Sequence, residues 1–387
     1  MAYTVLARRY RSQTFDEVVG QEAIARTLAN AIEAGRVAHA YLFCGTRGVG
    51  KTTMARLFAK AINGGSDEVD AAIMAGRDTD VIEIDGASNN SVEQARELIA
   101  NSVYRPMRGK RKIYIIDEVH MLSTPAFNAL LKTMEEPPEH VIFVLCTTET
   151  QKVPATIQSR CQRFDFRNIA STRIAEHLGR VVKDEKLTAE PELLARIARL
   201  ANGSMRDALS LLDRVIAAGQ KKLTAGLLEE LLGLPERELV GGLIDALADG
   251  EPAGALEQTA KLLEKGTAID LVIESLLERL RDLMVMAACG ADSPLVDLTD
   301  ESRKAEAARA SRFDAAGLVH MIALCENVQR SAKSSSMPRA LLDALIVRLA
   351  MTEKLADVTA LMTGQGAGHG AGRAAAGASG SAPVKKR

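Results

Sequence analysis

The stretch Gly45-Thr-Arg-Gly-Val-Gly-Lys-Thr52 decides how this chain folds. A short apolar run, Ala40-Tyr-Leu-Phe-Cys44, precedes it, and a helix-like pattern, Met54-Ala-Arg-Leu-Phe-Ala-Lys-Ala-Ile62, follows it. That context, a strand, a glycine turn and a helix, makes the G-x-x-x-x-G-K-T spacing a phosphate cradle rather than a chance turn before a surface helix. Glycines let backbone N–H groups converge on an anion without side-chain clash. The helix N-terminus adds partial positive charge. Gly45, Thr46, Arg47, Gly48, Val49, Gly50 and Thr53 are therefore expected to surround the phosphates of a nucleoside triphosphate. Lys51 is expected to reach the β- and γ-phosphates, and Thr52 to offer its hydroxyl to Mg²⁺.

The second half of such a site lies further along. Ile113-Tyr-Ile-Ile-Asp117-Glu118 has four apolar residues ending in two acids. It reads as a buried parallel strand whose carboxylates emerge at its C-terminal edge, where ligands sit in open α/β sheets. Asp117 is expected to hold Mg²⁺ through water, and Glu118 to polarise the attacking water. The next buried strand, Val141-Ile-Phe-Val-Leu-Cys146, ends in Thr147-Thr148. Thr148 either senses the γ-phosphate or is an ordinary strand-end threonine. Pattern does not separate the two.

At 387 residues the chain is too long for one ordinary core. With 47% hydrophobic residues, no Trp and only 3% aromatics, its cores must be built from Leu, Ile, Val, Met and Ala, as helical cores are. No apolar run approaches the roughly 18 residues that span a bilayer, and the N-terminus lacks a secretory apolar region. A cytoplasmic protein with no membrane partner is expected. The five cysteines are scattered without a C-x-x-C pair, which argues against a disulfide framework or a structural zinc site. A net charge of -1 excludes a globally basic nucleic-acid binder. Contact with DNA requires a local patch or a shared surface.

Residues 1–38 open with Arg8-Arg-Tyr-Arg11, which reads as a solvated arm more readily than as a cover over a bound base. Asn63 to Thr79 is polar and glycine-spotted, an exposed insertion with one helical turn. Asp85 to Ser91 is a turn rich in N-cap residues before a helix over Val92–Ser102. Arg160 follows a short helix begun by Pro154. It is either a surface cation or the positive charge that phosphoryl transfer draws from a neighbouring chain. Arg206 sits in the first turn of a helix capped by Ser204, where a cation is unfavourable. It therefore faces a phosphate, unless it pairs with Asp207 or Asp213. From Ser171 onward the pattern is helical. The stripes Ile269, Val272, Ile273, Leu276, Leu280, Leu283, then Leu318, Met321, Cys325, Val328, then Leu342, Leu345, Leu349 are cores of helix bundles. Residues 364–387 are Gly- and Ala-rich and carry no acids, and are read as disordered.

Arg9-Tyr-Arg11 with Thr14-Phe15, Val19-Gly-Gln21, the glycine loop, Asp117-Glu-Val-His120, Asn128-Ala-Leu-Leu-Lys132, Glu135-Glu-Pro-Pro138, Ser159-Arg-Cys161 and Gly203-Ser-Met-Arg-Asp-Ala-Leu-Ser210 together resemble one family, the gamma/tau subunits of bacterial DNA polymerase III. Those proteins are the AAA+ ATPase motors of the replicative clamp loader. The resemblance runs from about residue 2 to 235 and more weakly to about 355. It implies an α/β AAA+ phosphate-loop domain with a parallel sheet over 1–169, a helical lid over 170–233, an all-α collar over 234–360 and a disordered basic tail over 361–387. It implies that Arg160 acts on ATP in the adjacent subunit, that Arg206 and Thr148 sense the γ-phosphate, and that Tyr10, Arg11 and Val19 border the adenine. It implies other clamp loader subunits in a pentameric ring, the sliding clamp and primer–template DNA as partners. Ala87 to Asn90 would lie near the DNA backbone, with the basic run Arg105–Lys112 as a competing candidate. Relatives carry a zinc-binding cysteine cluster after the phosphate loop's helix. Asn63 to Thr79 has no cysteine, so ATP and Mg²⁺ without zinc are expected. The family's longer forms reach the polymerase and helicase through C-terminal regions, and this chain is expected to be the clamp-loading core without them. No polymerase active-site constellation is visible. The alternatives are another AAA+ DNA-dependent ATPase, which unwinding by this chain would favour, and an inactive stator-like subunit, against which intact Lys51, Thr52, Asp117 and Glu118 argue.

Overall fold

A computed structural model of the chain describes residues 4–351 apart from 294, 297 and 299. The disordered tail expected over 361–387, and the end of the collar from 352, lie outside the described residues. The chain divides into two compact units, Met1–Leu232 and Gly233–Arg387.

The first unit begins with α1 (Leu6–Arg9) and α2 (Glu22–Glu33), then β1 (Ala40–Cys44), α3 (Lys51–Asn63), α4 (Asp67–Ala75), β2 (Val81–Asp85), α5 (Val92–Ser102) and β3 (Lys112–Asp117). It continues through α6 (Thr124–Glu135), β4 (Val141–Thr147), α7 (Ala155–Gln158), β5 (Gln162–Asp165), α8 (Ser171–Asp184), β6 (Thr188–Ala189), α9 (Pro191–Leu200), α10 (Met205–Ala217), β7 (Lys222–Leu223) and α11 (Ala225–Leu232). Strands β1 to β5 form one parallel five-stranded sheet in the order β2-β3-β4-β1-β5. The chain leaves β1 for the far edge, returns through β3 and β4, and crosses β1 to reach β5. The crevice above β1 and β4 is thus where connections diverge, the place where such sheets bind ligands.

Strands β1 and β4 are buried along their whole length. Alternate residues serve opposite layers. Tyr41 and Phe43 pack with Met54, Phe58 and Ile62 of α3, while Leu42 packs with Phe127 and Leu130 of α6. Register brings Cys44 opposite Thr147 and Asp85 opposite Asp117, so these side chains end at one rim.

Two expectations are corrected here. The Asn63–Thr79 stretch is not a bare insertion. It holds the nine-residue helix α4, capped by Ser66 and ended by Gly76 in the left-handed region, with Ile73 fully buried. The apolar residues Val69, Ile73 and Met74 fell among acids, which hid their helical spacing. The N-terminal segment is not a solvated arm either. Leu6 is 1% exposed inside the core that α8, α9 and α10 form. The Tyr10 hydroxyl donates to Glu185 at 2.5 Å, and Arg9 pairs with the same carboxylate. Charge density suggested solvation, but one leucine and one tyrosine suffice to dock a single turn.

The second unit is α-helical: α12 (Arg237–Ala248), α13 (Pro252–Glu264), α14 (Ile269–Cys289), α15 (Asp300–Ala310), α16 (Ala315–Ala332) and α17 (Pro338–Ala350). Its core contains Val272, Ile273, Leu276, Leu280, Leu283, Leu318, Met321, Cys325, Leu342, Leu345 and Leu349, the stripes expected from the sequence, with Ile269 and Val328 at its margin. Within this unit Arg279 pairs with buried Glu306, and Arg309 with Asp245.

Candidate functional site

Helix α3 starts at Lys51 because Gly50 before it sits at φ 102, which lets the loop turn its N–H groups inward. Gly48 also has a positive φ, and a Cβ there would lie 1.9 Å from the Ser204 hydroxyl. The loop and the start of α10 are therefore in close contact. Ser204 caps α10 through the Asp207 N–H, and the Arg206 N–H points to the Gly48 carbonyl at 3.4 Å.

Lys51 is only 6% exposed. Its Nζ donates to the Gly45 carbonyl at 2.7 Å and the Thr46 carbonyl at 2.8 Å. Burial lowers its pKa, opposed mainly by Cys146, Glu118 and Asp117. The Thr52 hydroxyl donates to Asp117 Oδ2 at 2.6 Å. Two motifs 65 residues apart thus meet at one point. Glu118 adopts φ 45, ψ 45, a left-handed backbone that costs a non-glycine residue about 1–2 kcal/mol. The turn is fixed from both sides. Gly86 N–H donates to the Asp117 carbonyl at 2.8 Å, and Val119 is fully buried just after it. The turn carries the Glu118 carboxylate to the Thr148 hydroxyl, which donates to Oε2 at 3.2 Å.

Lys51, Thr52, Asp117 and Glu118 line one cleft, and Thr148, which reaches it only through Glu118, is not part of its wall. Its wall includes Tyr10, Arg11, Val19, Arg47, Gly48, Val49, Gly50, Lys51, Thr52, Thr53, Asp117, Glu118 and Arg206. Gly45 and Thr46 serve it indirectly, through the carbonyls that hold Lys51. None of Arg11, Arg47, Lys51 and Arg206 is in a salt bridge among the described residues, so the pairing of Arg206 with Asp207 or Asp213 does not occur. Arg11 is pushed down to about 10 by burial and by Arg56 and Arg206 nearby. Four cations against two facing carboxylates suit a polyanion. Thr52 and Asp117 offer adjacent oxygens, the donor type of Mg²⁺.

Arg160 does not reach this cavity. Its guanidinium donates to Glu135 Oε1 and the Thr156 carbonyl, both at 2.7 Å. Other wall residues were not singled out from the sequence. Ser12, Ile169, Met205, Leu209 and His177 all contribute. His177 gave a faint signal, an imidazole among Ile174, Leu178 and Val181 on the apolar face of α8. His120, quoted only within a motif, lies 3.5 Å from Glu118 Oε2 and 3.4 Å from Glu149 Oε1.

Fold and loop together define a phosphate-loop domain of the AAA+ ATPase class. Residues 20–170 match the family described as DNA polymerase III, delta subunit. Residues 173–221 match the DNA polymerase III clamp loader subunit, ATPase lid domain, and residues 223–364 match DNA polymerase III subunits gamma and tau domain III. The DNA polymerase III subunit tau of Bacillus subtilis is 40% identical over 91% of this chain and 64% of its own length. The subunit tau/gamma of Haemophilus influenzae is 50% identical over 58% of this chain and 34% of its own. The subunit tau of Escherichia coli is 44% identical over 77% and 48%. The chain therefore spans between 34% and 64% of the length of these curated relatives. It belongs to the gamma/tau family of DNA polymerase III subunits. Among the described residues, no helix is long and apolar enough to cross a membrane.

Proposed function

We propose that this chain is an ATP-hydrolysing motor subunit of a cytoplasmic replicative clamp loader. In this reading it assembles with other loader subunits and places a sliding clamp on primed DNA. The observation that carries the reading is the meeting of Lys51, Thr52, Asp117 and Glu118 at one cavity whose arginines make no salt bridge among the described residues. The triphosphate lies against the loop N–H groups at the start of α3, with Lys51 and Arg206 countering its charge. Thr52 and Asp117 hold Mg²⁺, which when bound neutralises charge on the phosphates. Glu118 orients the attacking water and takes its proton, and Thr148 holds that carboxylate in place. Tyr10, Arg11 and Val19 border the nucleoside. Arg160 serves a neighbouring subunit's nucleotide, a role supported by its distance from its own cavity. Residues 4–169 bind the nucleotide, 170–233 act as a lid, and 234–351 build a collar. Zinc has no part in the proposal, because the stretch after α3 holds no cysteine.

The deciding experiment is ATP turnover by the reconstituted complex with and without clamp and primed DNA. Glu118→Gln is expected to keep nucleotide affinity and to lower turnover by at least ~100-fold. Turnover at the wild-type rate would remove Glu118 from the mechanism. Turnover that ignores both clamp and DNA would sink the loader assignment while leaving the ATPase.

A further inference from the structure

The cavity has two unlike ends. One is built from the glycine loop, Lys51, Thr52 and the two acids. The other is built from Ala7, Tyr10, Val19, Ile169 and Leu209, which are apolar or aromatic. A triphosphate satisfies the first end and leaves the second to the base and ribose. Five such residues exclude water from a base without recognising it. A base and a ribose both carry hydrogen-bonding groups, and burying these unpaired is costly.

Among the described residues lining the cavity, His177 is the only histidine. It sits on α8, on the face that also carries Ile174 and Val181, and Glu185 follows at the helix C-cap. Glu185 is the residue that anchors Tyr10, and Ile174 and Val181 share a core with Ile169. These neighbours put His177 with the apolar wall and not with the phosphate loop. Its ring makes no hydrogen bond among the described residues. The imidazole is half-buried and forms part of the cavity wall.

We infer that His177 recognises the nucleoside half of the bound nucleotide, contributing a hydrogen bond to its base or ribose. This rests on the nucleotide reading above and assigns a further residue to it. Burial and nearby Arg180 lower the pKa of the imidazole, with Asp184 opposing them more weakly. The neutral ring then offers one donor and one acceptor.

The test compares Mg·ATP with Mg·tripolyphosphate by titration calorimetry on the full chain. His177→Leu keeps bulk and removes both polar nitrogens. His177→Gln keeps a donor and an acceptor. His177→Leu is expected to weaken ATP binding about three- to tenfold, the worth of one net hydrogen bond, and to leave tripolyphosphate affinity unchanged. His177→Gln is expected to recover most of the loss. The inference falls if His177→Leu binds ATP as the wild type does. It also falls if both ligands weaken together, which would mean a displaced helix. A wild-type chain that binds neither ligand overturns the nucleotide reading itself. One that binds both, with His177→Leu unchanged, overturns this inference alone.

Discussion

Gly48→Ala tests whether the phosphate loop and α10 are one mechanical piece. Two penalties follow from the structure. Gly48 has φ +77, and a left-handed alanine costs about 1–2 kcal/mol. A Cβ at 1.9 Å from the Ser204 hydroxyl must also push that oxygen away. Ser204 is 5% exposed, and its hydroxyl caps the Asp207 N–H at 3.2 Å. Losing such a cap costs about 1 kcal/mol. Replacing glycine returns about 0.5 kcal/mol by restricting the unfolded chain. The net expectation is a loss of about 2 kcal/mol. Ser204→Gly removes the obstructing oxygen, and glycine at an N-cap costs only a few tenths of a kcal/mol, roughly 0.3. In that background Gly48→Ala should cost only its backbone strain. The two substitutions should therefore couple by about 1 kcal/mol. All five tyrosines lie before residue 115 and the chain has no Trp. Tyrosine fluorescence during urea unfolding therefore reports the first unit without interference from the second. Four midpoints, for the wild type, each single variant and the double, give the cycle. Costs that add to within about 0.4 kcal/mol would refute the contact.

Further outcomes follow from the same geometry. Arg160→Ala should leave the isolated chain's ATP affinity and stability nearly unchanged, because an exposed pair such as Arg160–Glu135 is worth only about 0–1 kcal/mol. In the assembled complex it should cut turnover by about 10³-fold or more. A drop in affinity in the isolated chain would contradict a role in a neighbour's site. Leu6→Ala should destabilise the first unit by about 2–3 kcal/mol, since Leu6 is fully packed in the lid core. A loss under about 1 kcal/mol in urea unfolding would return the N-terminal segment to solvent. The Tyr10 hydroxyl, followed by Arg9, holds Glu185 below its ordinary carboxylate pKa. That pairing stabilises the fold above the unfolded glutamate pKa and is lost as pH falls through the lower folded value. Glu185→Gln should flatten the acid limb of stability against pH. An unchanged limb would show that the pairing is not formed.

Much of the sheet and the site was legible because its signals are local. A buried parallel strand has to be an unbroken apolar run, and both Ile113–Ile116 and Val141–Cys146 are. The glycine loop is legible because only glycine tolerates φ 102 at the start of α3. Helix α4 was missed because acids interrupt its apolar face. The docking of residues 4–10 was missed because it depends on partners, Glu185 and Asp213, more than 170 positions away.

Backbone chemistry near each motif was thus written in the chain. Its order of residues determined that a glycine turn would precede a helix, that two acids would end a strand, and that apolar stripes would build helical cores. Which groups meet was decided by the fold. The order β2-β3-β4-β1-β5 sets Asp117 against Thr52, and a left-handed turn at Glu118 hands its carboxylate to Thr148. The lid brings Arg206 and His177 to the same cavity. Those meetings span distances along the chain over which no residue spacing carries information, because strand pairing and helix packing, and not neighbouring bonds, fix them.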